Sequence, residues 1–258
     1  MRIVVLLKAV PVVGNERLGD GFLVDRGVLE ANGGDEYVLE TALKLTETHG
    51  GDVTVLSMGP VTATEAIRKA LAMGAARGVL VRDDAIAGSC TLATGRILAA
   101  ALSRLEFDLA LAGADTSDGQ GGVAAAAIAT RLGLPYLSYA ASVEVGADGA
   151  TVRVRRIAAS GYDLLEAPLP ALVMGTQLLG EPRYPSLRGI MQARGKEILT
   201  WDLAELGIDP GTVGNAAATT RVLDAAVPPP RAGAVFVREQ APVAAERIVT
   251  FLASRSLV

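Results

Sequence analysis

The chain is poor in the residues on which most side-chain chemistry depends. Among its 258 residues there is one cysteine, Cys90, and one histidine, His49. No disulfide can form within the chain, and a zinc site built from Cys and His is all but excluded. A Ser-His-Asp arrangement would have to recruit His49. That residue stands in Glu47-Thr48-His49-Gly50-Gly51, read as a helix end, where a cation suits the dipole. Cys90 lies among small residues and reads as a packing or surface position rather than a nucleophile. The net charge is only −4, with acidic and basic residues interspersed, so no electrostatic footprint for nucleic acid is present. Apolar runs such as 3–7 and 123–129 fall far short of the roughly 20 residues that span a bilayer. Met1-Arg2 leads straight into a strand-like run with no small-residue cleavage site. No signal peptide and a cytoplasmic location are therefore expected.

What is abundant is aliphatic residues, with half of the chain hydrophobic. That suffices for one large core, or one core plus an extension. Ile3-Val4-Val5-Leu6-Leu7 is a continuous β-branched and aliphatic run, as in a parallel strand buried on both faces. A polar, Gly-rich stretch follows over about 14–34. Asp35 can then cap a helix whose Tyr37, Val38, Ala42, Leu43 and Leu45 fall at helical spacing, closing at Gly50-Gly51. The same grammar repeats, with strands expected at 53–57, 78–81 and 107–112 and helices at 62–73, 91–105 and 119–132. Alternating strands and helices of this length predict a parallel α/β sheet with right-handed crossovers.

After Pro135 the pattern changes. Shorter strands are expected at 139–145, 151–157 and 162–168, separated by turns such as Gly146-Ala147-Asp148-Gly149, which predicts an antiparallel extension. Leu172-Val173-Met174 returns to an apolar run. Past Trp201 the chain loosens, through Asp209-Pro210-Gly211 and Pro228-Pro229-Pro230, to a last amphipathic stretch at 241–252. This tail reads either as an arm lying on another subunit or as a disordered linker.

The most informative segment is Gly113-Ala114-Asp115-Thr116-Ser117-Asp118-Gly119-Gln120-Gly121-Gly122-Val123, which follows a buried strand and opens an alanine-rich helix. Ligands of open α/β sheets bind at the carboxyl ends of strands, and a helix N-terminus with glycines lets a phosphate approach backbone amides. Asp118 or Ser117 can cap the helix. A Walker lysine and GxGxxG spacing are both missing, so the P-loop and dinucleotide fingerprints fail. The loop alone is either a phosphate cradle or a tight turn. Ala31-Asn32-Gly33-Gly34-Asp35 and Ser57-Met58-Gly59-Pro60 stand at the same sheet edge and strengthen the nucleotide-pocket reading.

In their order, several stretches resemble the electron-transfer flavoprotein beta subunit family over at least residues 1–200. They are Leu7-Lys8-Ala9-Val10-Pro11, Asp35-Glu36-Tyr37, Val55-Leu56-Ser57-Met58-Gly59-Pro60, and Arg68-Lys69-Ala70-Leu71-Ala72-Met73-Gly74-Ala75. The glycine loop and Glu181-Pro182-Arg183-Tyr184-Pro185-Ser186-Leu187-Arg188-Gly189-Ile190-Met191 complete the set. The resemblance implies a doubly wound parallel sheet of order 3-2-1-4-5, of the adenine-nucleotide-binding type. It also implies a heterodimer with an alpha subunit that carries redox-active FAD, and a structural AMP in the beta subunit. Carried over by position, the AMP contacts are Leu6, Asn32, Gly33, Gly34, Asp35, Met58, Gly113, Ala114, Asp115, Thr116, Ser117, Asp118, Gly119, Gln120, Gly121, Gly122, Val123 and Ala124. The amides of Gly119, Gln120, Gly121 and Gly122 can hold the phosphate, and Leu6 and Met58 can flank the adenine.

The resemblance further implies a nucleotide-binding domain over 1–200 that includes a recognition loop at 181–194, and a C-terminal arm over 201–258 contacting the partner subunit. Leu187 matches the loop's hydrophobic anchor for flavin dehydrogenases, with Ile190 and Met191 following it; the competing reading makes these three core positions of a short helix. The expected role is that of a non-enzymatic electron carrier subunit. It docks an acyl-CoA or related flavin dehydrogenase, and electrons pass through the alpha-bound FAD to a quinone-linked oxidoreductase. Two alternatives stand beside it: a flavin-bifurcating relative with a second FAD in place of AMP, and a stand-alone adenine-nucleotide-binding stress-type protein. Two departures from the family are visible. Ile157 stands where a glutamate reaches toward the flavin domain, and the glycine loop lacks the usual acidic and threonine-rich form.

Overall fold

The computed structural model describes residues 1–12, 14, 17–19, 22–226 and 236–258. Parts of the polar segment after Gly14, and Pro228-Pro229-Pro230, lie outside the described residues. The chain divides into two compact units, Met1–Val222 and Leu223–Val258.

The first unit opens with β1 (Arg2–Leu6), then β2 (Ala9–Pro11) and β3 (Leu29–Ala31), which pair with each other antiparallel. Helix α1 (Gly33–His49) leads to β4 (Asp52–Met58), and a 3-10 turn at Val61–Ala63 runs into α2 (Thr64–Met73) and β5 (Arg77–Val81). Next come α3 (Thr91–Ser103), β6 (Leu109–Gly113) and α4 (Ala124–Leu132). Four strands follow: β7 (Tyr136–Val145), β8 (Thr151–Ala158), β9 (Gly161–Pro168) and β10 (Ala171–Gly175). Helix α5 (Leu187–Ala193) and β11 (Ile198–Trp201) complete the regular elements of this unit.

These strands form a nine-stranded sheet of order β11-β5-β4-β1-β6-β10-β7-β8-β9. Its centre, β5-β4-β1-β6-β10, is the expected 3-2-1-4-5 arrangement, parallel throughout. The antiparallel extension is β7-β8-β9, although β7 itself begins parallel to β10. Its register shifts near Tyr139, whose φ of 53° marks the irregularity where the strand passes from one partner to the other. At the opposite edge β11 adds a parallel strand beside β5 that sequence reading does not anticipate.

Alternation along β1 shows how the sheet is covered on both faces. Ile3 and Val5 join a core with Leu39 and Ala42 of α1 and Ile67 and Leu71 of α2. Val4 and Leu6 join a second core with Ile97 and Leu102 of α3 and Ile128 of α4. Each such fully buried aliphatic side chain contributes about 1.5–3 kcal/mol. Leu203, Ile208 and Val213 are buried in the second core, and residues 201–222 belong to the first unit.

Two helix starts differ from expectation. Helix α1 begins at Gly33 with Asn32 at the N-cap, and its Asp35 lies inside the first turn rather than capping it. Helix α4 begins at Ala124, not Gly119, with Val123 at the N-cap and no side-chain cap from Asp118 or Ser117. The reason is local: Gln120 has φ 44° and Gly122 φ 62°, left-handed values that cannot continue into a right-handed helix. His49 does lie in the last turn of α1, as expected.

The second unit holds α6 (Ala241–Ala253), with a proline in its first turn and no buried residue. Val243, Ile248, Val249 and Phe251 of this helix are all exposed. Arg255 stacks over Phe251, 4.5 Å from its ring centre.

Candidate nucleotide site and docking segment

The site is assembled where β1, β4 and β6 end. The segment after β1 is tied to the start of α1: the Lys8 amide donates to the Asp35 carboxylate at 2.8 Å, and the Asn32 amide donates to the Lys8 carbonyl at 2.9 Å. The Asn32 side chain then reaches the glycine loop. Its Nδ2 donates to the Asp115 carbonyl at 2.9 Å, and its Oδ1 accepts from the Ser117 amide at 3.3 Å. Asn32 and Asp35 are both buried, a placement polar side chains tolerate only with partners. Gly113 has no room for a side chain, since an added Cβ would sit 2.1 Å from the Asp35 carboxylate. Asn32, Gly33, Gly34 and Asp35 are thus brought against the segment that runs from Gly113 through Ser117.

Burial pushes the Asp35 carboxyl up to about 7. The Lys8 amide, the Asn32 side chain, the Lys8 charge and the Gly113 amide all pull it the other way. Leu6 is buried, and Met58 and Ala114 pack against the same core. Gly119, Gly121 and Val123 lie exposed at the rim. Of the four amides expected to cradle a phosphate, that of Gln120 already donates to the Thr116 carbonyl at 3.0 Å. It is therefore taken up inside the loop.

Sequence reading misses two cations of this site. Lys8 Nζ lies 2.6 Å from Asp118 Oδ1, and the Arg26 guanidinium lies 2.9 Å from Oδ2. The Asp118 side chain is 2% exposed against 35% for Lys8 and 32% for Arg26. Burial opposes its charge, but the hydrogen bond and charge of Lys8, with Thr116 and Arg26, hold the Asp118 carboxyl below its ordinary range. Lys8 was visible as a lysine directly after a buried strand. Arg26 sits in a polar stretch with no periodicity to single it out.

A second constellation lies on α1. Arg183 donates through Nε to Glu40 at 2.7 Å and through its terminal nitrogens to Glu47, while its amide donates to Glu40 at 3.1 Å. Glu40 is buried. Burial works against its charge, yet the Arg183 hydrogen bonds outweigh it and keep the carboxyl below its usual range. This clamp sets the chain entering α5. There Ser186 caps the Gly189 amide at 3.0 Å, while Lys196 donates to the carbonyls of Leu71 and Ala75 and Arg68 donates to those of Ala193 and Lys196.

On that anchored helix Leu187 is 78%, Ile190 43% and Met191 66% exposed; Ala193 is the residue it buries. Ile157 of β8, paired with Tyr162, is exposed along with Tyr162 and Leu164. Cys90 is half-buried at the start of α3, its sulfur 3.5 Å from the Thr219 hydroxyl. Among the described residues no cluster suited to a metal ion occurs, and no helix is long and apolar enough to cross a membrane.

The family model described as "Electron transfer flavoprotein domain" matches residues 21–206. The chain is 39% identical over 266 aligned residues to the "Electron transfer flavoprotein subunit beta" of Mycobacterium leprae, covering 99% of both chains. It is 38% identical over 225 residues to the protein of the same name in Clostridium acetobutylicum, covering 86% of both. It is also 34% identical over 242 residues to the "Caffeyl-CoA reductase-Etf complex subunit CarD" of Acetobacterium woodii, covering 92% of both.

Proposed function

The chain belongs to the electron transfer flavoprotein beta subunit family, and from that premise we propose that it holds AMP in a structural role at the β1–β4–β6 edge and docks flavin dehydrogenases through α5. As an electron transfer flavoprotein beta subunit it works with an alpha subunit in a flavin-containing complex. The flavin supplies the redox chemistry, and this chain's residues supply binding and orientation. No acid, base or nucleophile is asked of it.

The observation that carries the nucleotide reading is the junction of Asn32–Asp35 with the glycine loop. Asn32 ties the N-terminus of α1 to Asp115 and Ser117. Gly113 leaves that approach open only because it lacks a side chain. Two helix N-termini, exposed glycines and two cations at one sheet edge suit an adenine nucleotide with its phosphate toward Gly119–Gly122. Leu6 and Met58 would flank the base.

The docking reading rests on exposure joined to rigidity. Leu187 projects from a helix clamped by Arg183, Lys196 and Arg68, so one apolar anchor can give affinity without slow release. Donors of the acyl-CoA dehydrogenase kind and a quinone-linked acceptor would complete the chain of carriers, in the cytoplasm. Residues of the second unit would form the arm that meets the alpha subunit.

The test is mass-spectrometric identification of the small molecule released on denaturing the heterodimer, together with its flavin count. AMP with one flavin per heterodimer is expected. Two flavins and no AMP would place a second FAD here instead, and one flavin with no AMP would overturn the site.

A further inference from the structure

We propose that Asp118 is a resident anion standing in for the nucleotide phosphate, and that a nucleoside monophosphate binds by exchanging its phosphate for this carboxylate on Lys8 and Arg26. The inference rests on the nucleotide reading above and deepens it, because it names the residue that competes with the phosphate for the site's two cations.

Three observations carry it. First, Asp118 bridges the two cations as a phosphate would, one oxygen to each, at 2.6 Å to Lys8 and 2.9 Å to Arg26. The cations come from separate parts of the chain, and Arg26 is further fixed by donating to the Ala9 carbonyl at 3.0 Å. Second, burial is unequal. The Asp118 side chain is 2% exposed, whereas about a third of each cation is open to solvent, at 35% and 32%. An incoming anion can therefore reach both cations from outside while the carboxylate holds them from within.

Third, the carboxylate is followed by a glycine-rich backbone in left-handed conformation. Gly119 follows Asp118 directly, Gly121 lies just beyond, and Gln120 and Gly122 have φ of 44° and 62°. A non-glycine residue at positive φ is strained, and Gln120 carries that conformation two residues from the carboxylate. In the closed arrangement both cations are neutralised, so a phosphate added without exchange would meet a carboxylate at the same two charges. Like charges sharing one pair of cations repel. Exchange removes that repulsion, and the dianionic phosphate gains more from two cations than the monoanionic carboxylate it replaces.

The experiment compares the nucleotide-free full-length chain with Asp118→Asn and Asp118→Glu, titrated with AMP, adenosine and inorganic phosphate. Asp118→Asn should bind AMP about tenfold more tightly, the worth of one charged hydrogen bond no longer competed for. Inorganic phosphate should gain likewise, while adenosine, which lacks the phosphate, stays unchanged. Asp118→Glu, which keeps the competing charge, should show no such gain.

Equal losses for AMP and adenosine in Asp118→Asn would make Asp118 a loop brace and overturn the exchange, as would an unchanged AMP affinity. Both of those results leave the nucleotide site standing. Failure of the parent chain to bind either AMP or adenosine overturns the site itself and the exchange with it. Should Asp118→Asn be unstable when unliganded, inorganic phosphate is expected to restore its unfolding midpoint where chloride of equal ionic strength does not. No difference between the two salts would again overturn the exchange.

Discussion

Asp35 is the residue whose surroundings most strain its chemistry. Its native pKa of about 7 lies above the 3.8 of an unperturbed carboxyl, so between those values the folded chain holds a proton that the unfolded chain has released. Its contribution to stability is therefore full below about pH 4 and is lost as pH rises through about 7. Asp35→Asn stays neutral throughout. It is expected to gain stability relative to the parent, on the order of 1–3 kcal/mol, as pH climbs from about 5 to about 8. Urea unfolding of both proteins across that range measures the difference, and a pH-independent difference would show that Asp35 is ionised throughout. The residue's environment was only half legible beforehand. Its position before Glu36-Tyr37 marked a helix start, but a capping role requires a place outside the first turn. Backbone hydrogen bonding of Asn32, Gly33 and Gly34 moved the start earlier and turned Asp35 inward, against Gly113.

Among the elements, α5 shows how a short helix is held while its apolar side chains stay outside. Seven residues are too few to be stable alone, and this helix is fixed by Arg68, Lys196 and the close approach of Gly189, whose added Cβ would stand 2.3 Å from the Ala72 carbonyl. Leu187→Ala is expected to leave the unfolding midpoint and cofactor content of the heterodimer unchanged. Reduction by the dehydrogenase should weaken about tenfold, the scale of a small docking hot spot. Gly189→Ala, which keeps every exposed side chain but pushes the helix off α2, should weaken the same reaction with Leu187 still in place. Steady-state reduction kinetics check both. Loss of cofactor or unfolding in Leu187→Ala would instead make Leu187 a structural residue. The start of α4 teaches the complementary lesson: alanine-rich composition marks the helix, while left-handed backbone at Gln120 and Gly122 decides where it begins.

At the scale of the whole molecule, both buried cores are complete by Val213, and the second compact unit begins at Leu223. Removal of residues 223–258 is therefore expected to leave a chain that unfolds cooperatively, while the alpha subunit is recovered with it in much lower yield. Circular dichroism melting and co-purification separate the two effects, and undiminished recovery would remove the arm from the interface. The sequence by itself determined the parallel α/β layering, because apolar strands alternating with helices admit few other arrangements, while the central strand order was implied by the family resemblance and not by the alternation. It also marked the glycine loop and the Glu181–Met191 segment, whose residue types act largely where they stand in the chain. It did not place β11, Arg26 or the partners of Asp118 and Arg183. Those depend on groups far apart in sequence meeting at the sheet edge or across α1, and a charged side chain in a polar stretch carries no periodicity that foretells its partner. Only the tertiary structure decided that the loop's own carboxylate would take Lys8 and Arg26, since that follows from distance and burial rather than from composition.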